Sequence, residues 1–180
     1  MNNNKHIVLG VTGSIAIYKS CEIIRQLRKD GCEVTVVMTR EAGEFIKPAL
    51  FQGLSGNRVY EGLFAAPEAW DIAHVSLAEK ADVVLIAPAT ANIIGKISSG
   101  VCDDLLSCVV CATRAPVMIC PAMNNNMFVN KVVQENIKRL KAFGYAFIGP
   151  KKGRLVCGAV GMGCLEDVET IVKAVKKALS

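Results

Sequence analysis

Gly10-Val11-Thr12-Gly13-Ser14-Ile15-Ala16 joins an apolar run, His6-Ile7-Val8-Leu9, to a segment from Ile15 to Asp30 in which Ile17, Cys21, Ile24 and Leu27 recur at helical spacing. The run predicts a buried strand and the segment a helix, with a sharp turn between them. Two glycines let the backbone come close to a ligand, Thr12 and Ser14 offer hydroxyls, and the unpaired N–H groups of a helix start attract an anion. The turn therefore reads as a phosphate cradle. It is not G-x-G-x-x-G and carries no P-loop lysine, so it specifies neither a dinucleotide nor a nucleoside triphosphate.

Working outward, the same alternation repeats. Glu33-Val34-Thr35-Val36-Val37-Met38 predicts a second strand ending at Thr39, followed by a short helix to Phe45 and another from Pro48. A short strand is expected at Arg58-Val59-Tyr60, and the irregular stretch Asn57 to Ala73, with the only tryptophan, Trp70, reads as a loop or an oligomer contact. Asp82 to Ala87 and Val117-Met118-Ile119-Cys120 are apolar on consecutive positions, as buried parallel strands are, and stop at Pro88 and Pro121. Helices are expected at 103–113, from Phe128 to Phe143, with Val129, Val132, Val133, Ile137 and Leu140 inward, and from Glu166 to Leu179. A last strand lies at Tyr145 to Ile148. Between them, residues 149–163 hold five glycines and read as a mobile flap. The pattern calls for one α/β domain over 1–180: a three-layer, doubly wound parallel sheet, Rossmann-like or flavodoxin-like, with helices on both faces. Right-handed crossovers put the loops after Leu9, Met38, Ala87 and Cys120 on one edge, where ligands of such sheets bind.

Composition narrows the chemistry. A hydrophobic fraction of 52% with few aromatics suggests surface buried in an oligomer, while no apolar run approaches the ~20 residues of a membrane helix. Without a signal-peptide pattern at Met1 to Lys5, a cytoplasmic location is expected. The eight cysteines are spread along a regular chain and are read as reduced thiols, with Cys108 and Cys111 packed in the core despite their C-x-x-C spacing. Two histidines, His6 and His74, make a zinc site unpromising, so no metal is expected. The net charge of +5 is spread out apart from Lys173, Lys176 and Lys177, which suit a helix end; it calls for no nucleic acid and suits a small phosphorylated ligand.

The loops read Gly10 to Ala16, Thr39, Ala87-Pro88-Ala89-Thr90-Ala91-Asn92 and Pro121-Ala122-Met123-Asn124-Asn125-Asn126-Met127, with His74-Val75-Ser76-Leu77 ahead of the third and Cys157-Gly158 in the flap. Singly these are weak: Thr39, Thr90 and Asn124 equally suit helix caps, and His74 a structural role. In this order and spacing, from Lys5 to Glu166, they resemble the homo-oligomeric flavin-containing cysteine decarboxylases, and most of all the branch acting on phosphopantothenoylcysteine. Peptidyl-cysteine decarboxylases, flavin prenyltransferases and non-catalytic flavin-binding regulatory subunits remain alternatives. No second domain follows in this sequence, which implies a decarboxylase not fused to the ligase often joined to it.

The resemblance implies an FMN cofactor, its phosphate held by Gly13, Ser14 and Ile15, with Thr39, Thr90, Ala91 and Asn92 beside it. It implies His74 as general acid or base and Cys157 as the proton donor to the enethiol, with Asn124 on the substrate carboxylate and Ala122, Met123 and Met127 around it. Chemically, loss of CO2 from a cysteine carboxylate needs an electron sink. Hydride removal from the carbon bearing sulfur makes a thioaldehyde that accepts the electrons, giving an enethiolate that is then reduced. Lys151, Lys152 and Arg154, within the flap, read either as contacts for the substrate phosphate on closure or as a solvated basic loop. The family usually has Arg where this chain has Cys164, and Val75 replaces its usual Ile. The partners implied are a small phosphorylated, cysteine-containing substrate and further copies of the chain in a homotrimer or homododecamer.

Overall fold

The computed structural model describes residues 5–63, 72–154, 158 and 160–180. Six parallel strands form one sheet: β1 (His6–Val11), β2 (Glu33–Met38), β3 (Val59–Tyr60), β4 (Val83–Ala89), β5 (Val117–Pro121) and β6 (Ala146–Phe147). Their spatial order is β3-β2-β1-β4-β5-β6, so the winding reverses between β1 and β4. That reversal opens a crevice beyond the carboxyl ends of these two strands. The consecutive apolar positions are explained by burial on both faces. Ile7, Leu9 and Val11 pack with Val36 and Leu85 on one side, and Val8 with Val37, Val84 and Ile86 on the other.

One helical layer holds α1 (Tyr18–Lys29), α2 (Pro48–Ser55) and α8 (Val168–Leu179), which contribute Ile23, Ile24, Leu27, Phe51, Ile171 and Val175 to the first core. The other holds α3 (Ala73–Lys80), α4 (Ala91–Ser99), α5 (Leu105–Ala112) and α7 (Lys131–Ala142), contributing Leu77, Ile93, Leu106, Val109, Ile137 and Leu140 to the second. The doubly wound architecture expected from the sequence is thus the one found.

Several details differ from expectation. Pro88 does not end β4, which continues to Ala89; the register against β5 shifts between Ile86 and Ala89, where proline has no N–H to give. The helix expected over 128–143 is two elements, α6 (Asn125–Phe128) and α7, broken where Asn130 caps α7 by accepting from the Val132 N–H at 2.9 Å. Val129 and Val132 therefore face outward, 56% and 68% exposed, rather than into the core. Cys111 is exposed and Cys108 half-buried, because α5 turns Leu105, Leu106, Val109 and Val110 inward instead. Finally, the glycine-rich segment is an antiparallel hairpin in its described residues: β7 (Lys151–Arg154) pairs with β8 (Val160–Cys164).

Candidate functional site

The first turn is tied to the ends of β4 and β5. Thr12, 1% exposed, donates its hydroxyl to the Pro88 carbonyl at 2.8 Å and accepts from the Thr90 N–H at 3.1 Å, bridging the reversal point. Ser14 stands in extended backbone before the 3₁₀ turn Ile15–Ile17 that runs into α1; its Oγ accepts from the Ala16 N–H at 3.4 Å and donates to the Ala122 carbonyl at 3.3 Å. Three loops are thereby locked together by two hydroxyls. Gly13 is required by packing, since a Cβ there would lie 2.6 Å from the Glu41 Cβ.

A cavity of about 790 Å³ opens in front of this turn. Gly13, Ser14, Ile15, Thr90, Ala122, Met123, Asn124 and Met127 line it, so eight of the residues singled out in the sequence meet in one place. Ile15, Tyr18, Phe45 and Met127 are about half exposed and give its wall an apolar rim. Lys19, Lys151, Lys152 and Arg154 also line it, whereas no carboxylate does among the described residues. Lys19 carries no motif of its own in the sequence. Lys19 follows the cradle by one helical turn and donates to the Leu165 carbonyl at 3.4 Å.

The capping alternatives resolve differently at each position. Thr90 caps α4, its Oγ1 accepting from the Ile93 N–H at 3.4 Å. Asn124 caps α6, its Oδ1 accepting from the Asn126 N–H at 2.8 Å. Thr39 caps nothing: its hydroxyl is buried and has no hydrogen-bond partner among the described residues. Burying an unpaired hydroxyl is costly, so a position like this is a mark of a missing bonding partner. Thr39, Ala91 and Asn92 stand at the carboxyl ends of β2 and β4 without lining the cavity itself.

The hairpin is docked against the Asn124 loop. The Met162 N–H donates to Asn125 Oδ1 at 3.0 Å, and the Met123 N–H donates to the Gly163 carbonyl at 3.0 Å. A Cβ on Gly161 would meet Asn125 Oδ1 at 2.7 Å, and one on Gly163, whose φ is +130°, would meet the Met123 carbonyl oxygen at 2.1 Å. These glycines serve close approach. At the base of β7 the Lys151 ammonium pairs with Asp167, which holds the lysine's pKa above and the carboxyl's below their ordinary values. Cys157 lies outside the described residues. His74 stands in the first turn of α3 and does not line the cavity of its own chain.

Residues 1–180 match the Flavoprotein family. The chain belongs to it. It is 41% identical to a probable phosphopantothenoylcysteine decarboxylase of Streptococcus mutans, over 97% of this chain and 99% of that one. It is 44% identical to the coenzyme A biosynthesis bifunctional protein CoaBC of Bacillus subtilis over 98% of this chain, spanning 44% of that protein's length, less than half. Among solved structures, a cysteine-to-serine mutant of PPC decarboxylase complexed with pantothenoylaminoethenethiol superposes with a TM-score of 0.85 at 27% identity, covering 97% of this chain and 98% of the other. The FMN-dependent cysteine decarboxylase SpaF gives a TM-score of 0.85 at 31% identity, covering 98% of both chains.

Proposed function

We propose that the chain decarboxylates 4′-phosphopantothenoylcysteine to 4′-phosphopantetheine with FMN as cofactor, in coenzyme A biosynthesis. The observation that carries this reading is a single cavity joining the anion-attracting turn at Gly13-Ser14-Ile15 to the Ala122-Met123-Asn124 loop and the hairpin. The similarity to relatives named for this activity supports it.

The residues present fit the cofactor. The turn offers N–H groups at a helix start, Thr39 keeps a buried hydroxyl without a partner among the described residues, and the apolar rim of Ile15, Tyr18, Phe45 and Met127 suits a flat ring. Gly13, Ser14 and Ile15 would hold the FMN phosphate, with Thr39, Thr90, Ala91 and Asn92 beside it. Bound FMN supplies reversible hydride acceptance, which converts the substrate's sulfur-bearing carbon into an electron sink. The Asn124 NH2 group donates to the substrate carboxylate. Because its Oδ1 already accepts from the Asn126 N–H, the amide cannot flip and offer the wrong edge. Met123 and Met127 exclude water from the departing carboxylate. His74 exchanges the proton at the substrate sulfur, and Cys157 protonates the enethiol carbon.

A second copy of the chain completes this site. Because His74 does not line the cavity of its own chain and is flanked by Ile72 and Val75, 61% and 37% exposed, its approach to substrate is intermolecular. A homotrimer, free or gathered into a dodecamer, places the sites at subunit contacts. The deciding experiment incubates FMN-loaded protein with phosphopantothenoylcysteine and follows CO2 and the thiol product by mass spectrometry. Both are expected. Turnover only of a peptide ending in cysteine, or of neither compound, overturns the assignment. Cys157→Ser is expected to release CO2 but yield little saturated thiol.

A further inference from the structure

Four cations and no carboxylate, among the described residues, line the cavity, yet they are not equivalent. Lys151 is neutralised by Asp167, and Lys19 is turned to the Leu165 carbonyl, close enough to Asp167 to help hold that carboxyl ionised. Lys152 and Arg154 have no anionic partner among the described residues. They stand on alternate positions of β7, so both project to the same side of the strand, about 7 Å apart by strand rise. That separation lets two cations converge on one doubly charged group. The arm carrying them is kept in place by its partner β8, which is anchored to Met123 and Asn125. Cys164, where an arginine is expected from the resemblance, faces Gly153 so closely that a Cβ there would lie 2.9 Å from its Sγ. Positive charge at this rim is thus carried by β7.

We infer that Lys152 and Arg154 form a phosphate-monoester subsite on the hairpin, separate from the cradle at Gly13-Ser14-Ile15, which selects the phosphorylated form of the substrate. The inference rests on the proposed decarboxylation. Its ligand has two sources, the substrate's phosphate or the cofactor's, and the subsite is assigned to the substrate. The cradle gives the cofactor phosphate N–H donors within the fold, whereas the hairpin lies at the cavity's outer edge, where a long substrate's far end emerges.

The test is titration calorimetry on FMN-loaded protein with 4′-phosphopantetheine and with pantetheine, alongside decarboxylation of phosphorylated and unphosphorylated substrate. Wild type is expected to prefer the phosphorylated member of each pair. In Lys152→Ala and Arg154→Ala the preference falls about tenfold each, given two exposed charge-assisted contacts, and shrinks further with added salt. Arg154→Lys retains part of it, and Lys138→Ala on the exposed face of α7 retains all of it. A wild type that turns over both substrates without preference, or alanine variants that keep the preference, overturns the subsite and leaves the proposed activity standing. Variants that lose flavin, read by absorbance at constant preference, assign the pair to the cofactor phosphate and also overturn it. A wild type that binds and turns over neither compound overturns both readings together.

Discussion

At Thr39 a buried hydroxyl is left without a bond among the described residues in an otherwise well-satisfied turn, and the two states of the site respond to it oppositely. Without ligand, Thr39→Val exchanges an unsatisfied polar group for an apolar one of the same shape, so unfolding of the FMN-free protein is expected at equal or higher temperature. If the hydroxyl bonds FMN, the same change weakens cofactor binding about tenfold, read from flavin fluorescence during titration. Equal effects on the free and loaded protein would remove Thr39 from the cofactor site. Thr12 is the contrasting case, because its hydroxyl is both buried and used twice. Thr12→Val is expected to cost about 1–3 kcal/mol of stability in either state, since a buried carbonyl and N–H lose their partner. The two threonines look alike in sequence; only their surroundings separate an interstrand tie from a buried hydroxyl left without a partner among the described residues.

Among elements, α5 begins with a capping box in which Asp104 Oδ1 accepts from the Ser107 N–H at 2.8 Å and Ser107 Oγ accepts from the Asp104 N–H at 3.2 Å. The Lys96 ammonium reaches both Asp103 and Asp104 at 2.7 Å. Burial pushes the Asp104 pKa up, but the bonds from Lys96 and Ser107 outweigh it and leave the carboxyl below its usual range. A carboxyl depressed in the folded state stabilises fully above its unfolded pKa of about 3.9 and loses that stabilisation as pH falls through the folded value. Asp104→Asn keeps a capping oxygen without the charge, so the wild-type advantage in thermal midpoint should be constant above about pH 5 and shrink below pH 4. An advantage unchanged down to pH 3 would contradict the linkage. The acidic start of this helix was legible from Asp103-Asp104. The hairpin was not, because its arms lack the alternation of a strand and its glycines look like looseness. They mark contact with Asn125 and Met123 instead, so Gly161→Ala is expected to weaken hairpin docking, seen as faster amide exchange at Met162.

For the whole molecule, the parallel sheet and its site edge could be read from the sequence, because strands buried on both faces print continuous apolar runs at β1, β2, β4 and β5. The cradle and the Asn124 loop followed from that edge and do meet in one cavity. What periodicity could not locate was His74, since nothing local states which copy of a chain a side chain serves. On the proposed assembly, a site needs Asn124 from one copy and His74 from another. Chains carrying Asn124→Ala and chains carrying His74→Ala should each be inactive alone, with folding checked by flavin content. Random mixing within one oligomer, by co-expression with two affinity tags, then recreates intact pairs. About a quarter of the sites in a random mixture contain both wild-type residues, and about a third in trimers selected through both tags, and decarboxylation should recover to about that fraction. Recovery near zero in a tag-verified mixed oligomer would place His74 with its own chain's cavity, and a full rate in His74→Ala alone would remove it from the reaction.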